Sequence, residues 1–302
     1  MTSDDEAGQV LENLPGFTDP AELAVYERRM AYGRVAQLDA DPTLATGDFD
    51  FAHLQRIHRY ILQDVYPSWA GEIRSENTGA MGMIHCRPEH LPGQMRIVFA
   101  AIDRDRPSGT DSDAAAATVA NHWGEATALH IFRDGNSRTQ RVFFDQYLRD
   151  AGWDIDWLAV NGSAIHAARH VAMATADSSF LAAELRKGIV RAGTGPAGSL
   201  AVTQGARNTG ASVRLFEAMM AHKRSGGSAA TFTLSDAEHP VRPAPLDERV
   251  IESARRAAQF ARRDHPTARR DITSSQSAGE ERRPPGRFPG PRPGRDTDDY
   301  GR

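Results

Sequence analysis

A single cysteine, Cys86, in a chain of 302 residues excludes an intrachain disulfide and fits a reducing compartment. No stretch reaches the 18 or more consecutive apolar residues of a membrane-spanning helix, so no membrane partner is expected. The formal charge of −4 offers no basic excess, and direct contact with nucleic acid is not expected either. The opening Met1-Thr-Ser-Asp-Asp-Glu-Ala-Gly is acidic and leads into no apolar run, which argues against a secretory signal and for a cytoplasmic protein. No internal repeat is present. Gly193-Thr-Gly-Pro-Ala-Gly198 lacks the Gly-Lys-Ser/Thr ending of a phosphate loop and reads as flexible chain. At 40% hydrophobic residues, the chain can build one or two domains with a real core.

What is present is helical periodicity. Thr18 or Asp19 followed by Pro20 predicts a helix cap and first turn, and Leu23, Tyr26, Met30, Val35 and Leu38 continue at near-helical spacing. From Asp50, the positions Leu54, Ile57, Ile61, Leu62 and Val65 predict a second amphipathic helix. Between Glu72 and Arg87 the period disappears, and Asn77, Gly79 and Gly82 alternate with Met81, Met83 and Ile84 as in a short hairpin or irregular flap. Helices are predicted over 89–103, 113–129, 137–149 and around Ile165–Met173, with another over 180–190. The expected organisation is a helical domain over 1–190, then a linker with a possible short helix over 191–245. A possible helix over 246–263 and a disordered Pro/Arg-rich tail over 264–302 complete it.

One stretch concentrates chemistry: His130-Ile-Phe-Arg-Asp-Gly-Asn-Ser-Arg-Thr-Gln-Arg141. Asp134 is a hard oxygen ligand of the kind Mg²⁺ shares with phosphate. Gly135, Asn136 and Ser137 stand at the start of a predicted helix, where free backbone N–H groups and the positive dipole end attract anions. Arg138 and Arg141 lie three apart, share a helix face and can fork onto phosphate oxygens. His130 can act as a general base near neutral pH. A solvated basic helix start would account for the arginines but not for the His, the Phe and the Gly-Asn pair together.

The stretch resembles the signature of the Fic family, His-x-Phe-x-Asp/Glu-Gly-Asn-x-Arg-x-x-Arg, and His130, Phe132, Asp134, Gly135, Asn136, Arg138 and Arg141 match it in order. Trp69-Ala-Gly-Glu-Ile-Arg74 and Trp153-Asp-Ile-Asp-Trp157 resemble passages that flank this motif in Fic proteins. The resemblance implies an all-α, Fic-type helical bundle with a short β-hairpin flap near the active site. It also implies transfer of AMP from ATP to a Ser, Thr or Tyr hydroxyl of a target protein. In that activity His130 would be the base and Asp134 would hold Mg²⁺. Gly135, Asn136, Ser137, Arg138 and Arg141 would hold the nucleotide. Alternatives within the fold are transfer of another nucleotide or phosphate group, or a non-catalytic interaction protein. Gly135 and Arg138 differ from the Lys-containing turn of Doc-type kinases and favour nucleotide transfer.

Two positions depart from the commonest form of the motif: Ile131 stands in place of Pro, and Ser137 in place of a second Gly, where a positive φ would be strained. The Ser/Thr-x-x-x-Glu-Gly/Asn helix that restrains many Fic proteins has no full match here. Thr2 and Glu6 precede Ala7, and Ser277 and Glu281 precede Arg282. A separate, small antitoxin-like inhibitor contacting Arg141 is therefore the expected partner beside the target, as in a toxin–antitoxin pair. The tail leaves export as an effector as the alternative to a cytoplasmic role. The pair His166 and His170 could meet on a metal but lacks the Glu that follows the first His in zinc proteases, and His85, Cys86 and His90 have too few neighbours for a closed zinc site, so all are read as packing or solvated residues.

Overall fold

Capping chemistry starts the helices in the computed structural model, which describes residues 10–203 and 209–234 and positions 252, 255 and 256. The Asp19 carboxylate accepts the N–H groups of Ala21 and Glu22 and opens α1 (Pro20–Ala40). Asp50 does the same through His53 for α2 (Phe51–Leu62), ten residues further on. A hairpin follows, β1 (Gly79–Ala80) and β2 (Met83–Ile84), antiparallel with Gly79 opposite Ile84. Then come α3 (Leu91–Arg104), α4 (Ser112–Leu129) begun by Asp111, and α5 (Asn136–Asp150).

Strand β3 (Trp153–Ile155), helix α6 (Gly162–Thr175) capped by Asn161, and α7 (Ser179–Arg186) complete the main body. The helix predicted over 180–190 ends early. Gly188 has no room for a Cβ, which would sit 2.6 Å from the Asp156 carbonyl, and Ile189–Arg191 forms β4, antiparallel to β3. Among the described residues the fold is a helical bundle with two short two-stranded sheets, as the all-α expectation with a hairpin flap required.

Parts of the span expected as a linker are packed. Helix α8 (Ser199–Val202) buries Leu200 and Ala201, and α9 (Thr209–Arg224) lies against α6 with Ser212, Leu215 and Met219 buried. Leu215 and Met219, four apart, make the apolar stripe by which this helix packs. The expected helix over 246–263 falls outside the described residues except at three positions, and the tail over 264–302 lies wholly outside them.

The core joins α2, α4, α5 and α6. Ile57, Ile61, Leu62, Trp123, Phe143, Phe144, Tyr147 and Ala168 are all buried, and the aromatic rings meet edge-on or offset, as at Phe143–Phe144 with centroids 5.2 Å apart. Small residues bring α4 and α6 close: a Cβ on Gly124 would stand 2.8 Å from the Cβ of Ala172. That approach fixes the C-terminal end of α4, where the motif begins.

Candidate active site

Residue 130 closes α4 in the left-handed conformation, with φ 44° and ψ 60°, and its N–H donates to the Ala126 carbonyl at 3.1 Å. Glycine is the usual residue at such a C-terminal cap, and a side chain there costs on the order of 1 kcal/mol. A strained residue at a motif position is a pointer to function.

The loop from 130 to 136 is fixed from three sides. From inside, Asn136 clamps Phe132: its Oδ1 accepts the Phe132 N–H at 2.9 Å and its Nδ2 donates to the Phe132 carbonyl at 2.6 Å. From α2, the buried His58 ring stacks on Phe132 with centroids 3.9 Å apart. His58 Nδ1 accepts the Gly71 N–H at 2.7 Å, so the proton is on Nε2, which donates to the Asp134 carbonyl at 2.8 Å. Burial lowers the His58 pKa to about 4. From the flap side, the buried Arg74 guanidinium donates from Nε to the His130 carbonyl at 2.6 Å, from Nη1 to the Glu76 carbonyl at 2.6 Å and from Nη2 to the carbonyls of Cys86 and Leu129.

Gly135, with φ 75°, is required twice over: its backbone is left-handed, and a Cβ would lie 2.8 Å from Leu62 Cδ1 and 3.2 Å from His58 Nε2. Ser137, by contrast, lies inside α5 with helical backbone, so the positive φ that made serine doubtful there does not arise. No side chain caps the start of α5. Its first backbone N–H groups, with the dipole behind them, form an anion-attracting end.

Asp134 is half exposed: one oxygen accepts the Gly135 N–H at 2.5 Å, and the other is 3.9 Å from Arg138. No group of three or more His, Cys, Asp or Glu among the described residues is arranged to hold a metal ion. A single open carboxylate suits Mg²⁺, which keeps several waters and shares its remaining ligands with phosphate.

Asp134 and Arg138 are thus brought together, while the second arginine is engaged elsewhere. Arg138 pairs with Glu27 of α1, whose other oxygen accepts the Tyr66 hydroxyl at 2.6 Å. Arg141 donates from Nη1 to the Thr203 carbonyl at 2.9 Å and from Nη2 to the Thr203 hydroxyl, and lies over the Trp157 ring at 4.0 Å. Burial lowers its pKa to about 9, which leaves it cationic at neutral pH. The His130 imidazole is held well below its ordinary 6.5, first by burial and then by His85, Arg169, His170 and Arg74, a set without a carboxylate.

Sequence reasoning did not single out His58, Arg74, Glu27 or Thr203. Arg74 carried a signal, because it ends the Trp69–Arg74 passage. His58 sits on the buried face of α2, where a histidine is indistinguishable from core packing until its two ring nitrogens are seen to have partners.

The sequence and the fold resemble those of known proteins. The Fic/DOC family profile matches residues 48–148. The chain is 38% identical over 149 residues to the probable protein adenylyltransferase y4lH of Sinorhizobium fredii, covering 49% of this chain and 74% of that protein. It is 33% identical over 156 residues to the protein adenylyltransferase VbhT of Bartonella schoenbuchensis, covering 51% of this chain but only 32% of that one. Among solved structures, the BepC protein of Bartonella tribocorum with bound AMPPNP is similar in fold, with a TM-score of 0.54 at 17% identity, covering 63% of this chain and 98% of that one. A Fic domain from Bartonella quintana with bound ADP gives a TM-score of 0.54 at 19% identity, over 61% of this chain and 92% of that one. From the match to y4lH and the motif loop alike, the chain belongs to the Fic/DOC family.

Proposed function

We propose that this protein is an adenylyltransferase that moves AMP from ATP onto a Ser, Thr or Tyr hydroxyl of a target protein, with His130 as general base. The observation that carries the reading is how the motif loop divides its labour. Its backbone is consumed by Arg74, His58 and Asn136. The outer oxygen of Asp134 and the uncapped start of α5 are left for a ligand. The names of the relatives, protein adenylyltransferases in y4lH and VbhT, point the same way.

In this account His130 takes the proton of the acceptor hydroxyl as its oxygen attacks the α-phosphorus, and pyrophosphate leaves. The N–H groups at the start of α5 receive the charge on the α-phosphate, and Asn136 acts by fixing the loop that aims them. Asp134 would hold Mg²⁺, which neutralises phosphate charge when bound. Arg138 and Arg141 grip the outer phosphates, displacing Glu27 from one and Thr203 from the other. A separate inhibitor offering a carboxylate to Arg141 would have to displace Thr203 in the same way. The rest of the work is positioning.

Incubation with Mg²⁺ and ATP labelled at either the α or the γ position tests the reading. Label reaching protein from the α position alone, and lost in His130→Ala, is expected. Label from the γ position would replace nucleotide transfer with phosphoryl transfer, and label from neither would leave a binding protein.

A further inference from the structure

The residue that leaves the flap toward the motif is His85, directly after β2. It is buried, and its ring lies parallel to His130, with centroids 3.9 Å apart and planes 3° apart. The stack is built rather than incidental. The His85 N–H donates to the Thr78 carbonyl at 3.0 Å, and its Nδ1 shares a 3.0 Å hydrogen bond with the Thr78 hydroxyl, so both backbone and ring are tied to the residue that precedes β1. One residue on, the Cys86 N–H donates to the Ala128 carbonyl at 2.8 Å, and Arg74 bridges the Cys86 and His130 carbonyls. The distance between the two ring-bearing backbones is therefore set on both sides.

We propose that His85 is a positioning residue for the transfer reaction: its ring face fixes the plane of the His130 imidazole and couples the base to the flap. The proposal rests on the reading of His130 as the base. With its backbone locked in the left-handed region, the remaining freedom of His130 is rotation of the side chain. A flat group at van der Waals distance closes that rotation and shields one face from water. The nitrogen Nδ1 of His130 is buried without a hydrogen-bond partner among the described residues, so no hydrogen bond at that atom orients the ring and packing must do so. The charged or titratable groups facing His130 are Arg74 from the turn after α2, His85 from the flap, and Arg169 and His170 from α6. Burial, with Arg74 and Arg169, brings the His85 pKa to about 4, so the stacked pair is neutral together and a proton on one ring repels a proton on the other. A target strand added to the flap would meet Thr78 and, through it, the base.

Steady-state transfer with His85→Ala, His85→Phe and His130→Ala, together with NMR titration of the His130 ring protons, tests this. In His85→Ala, kcat is expected to fall by about tenfold or more with KM for ATP unchanged, since a misaimed base slows only the chemical step. The acid limb of the rate profile and the NMR titration of His130 are both expected to move up toward 6.5 as water reaches the ring. His85→Phe, which keeps the flat face, is expected to stay within about threefold of the wild-type rate. If thermal melting shows that the alanine variant does not fold, His85→Leu, which fills volume without a flat face, replaces it with the same expectation. A wild-type rate and titration in the non-aromatic variant overturns the proposal, as does a phenylalanine variant as slow as the non-aromatic one. Transfer surviving in His130→Ala would instead remove the base itself, a different result from a silent His130→Ala beside an unimpaired His85→Ala.

Discussion

The His58 ring holds the Asp134 carbonyl at 2.8 Å with one nitrogen and the Gly71 amide at 2.7 Å with the other, so a single neutral imidazole joins the turn after α2 to the motif loop. Both bonds need the same tautomer, and a second proton would break the one to Gly71.

That relationship predicts a pH dependence of stability. The folded pKa of His58, about 4, lies below the unfolded value of 6.5, so its contribution is fully present above 6.5 and is lost as pH falls through 4. The loss is roughly 3 kcal/mol by linkage. Urea denaturation of wild type and His58→Gln between pH 7 and pH 4 is expected to show a gap between the two proteins that narrows as the pH drops. A gap independent of pH would count against the assigned proton.

Arg74 is expected to resist even a conservative change. Its fork reaches the carbonyls of Glu76, Cys86, Leu129 and His130, and a lysine ammonium cannot span that set. Arg74→Lys should cost on the order of 2–4 kcal/mol, because several buried or half-buried carbonyls lose their donor at once. Differential scanning calorimetry measures this as a drop in Tm. A parallel loss of kcat is expected, since the His130 carbonyl loses its anchor.

Asn136→Asp separates the two halves of the clamp. The new carboxylate still accepts the Phe132 N–H but faces the Phe132 carbonyl where an amide donated. A cost of about 1–3 kcal/mol is expected, together with a lower rate of transfer. Stability and rate unchanged from wild type would mean that the loop does not depend on the clamp.

In the proposed reaction Glu27 would compete with nucleotide for Arg138. Glu27→Gln keeps the shape and a hydrogen-bond acceptor for Tyr66 but removes the charge that holds the arginine. The expected outcome is a KM for ATP several-fold lower, on the order of 1 kcal/mol, with kcat little changed. A KM that rises would mean that Glu27 orders Arg138 for the phosphates instead of blocking it.

Asp134→Asn and chelation address the proposed Mg²⁺. With one carboxylate available, the variant is expected to need at least about tenfold more Mg²⁺ for half-maximal transfer. Excess chelator should silence the wild type without moving its melting temperature, because no three His, Cys, Asp or Glu among the described residues are grouped to hold a structural metal.

Sequence alone determined much of this protein, because the determinants are local. Asp19 and Asp50 announce helix starts by their position before Pro20 and Phe51, apolar spacing marks α1, α2 and α5, and the motif from His130 to Arg141 declares itself in twelve consecutive residues. The hairpin at Gly79–Ile84 was likewise readable from lost periodicity and two glycines. Only the tertiary structure decided which partners these residues meet. Glu27 reaches Arg138 across 111 positions, Thr203 reaches Arg141 across 62, and His85 lies on His130 because Arg74 and Ala128 bring two distant backbones together. The spacing between such partners obeys no period. It follows from how α1 and α8 meet α5 and how the flap meets the end of α4, and packing is a property of surfaces in three dimensions, not of neighbours along a chain.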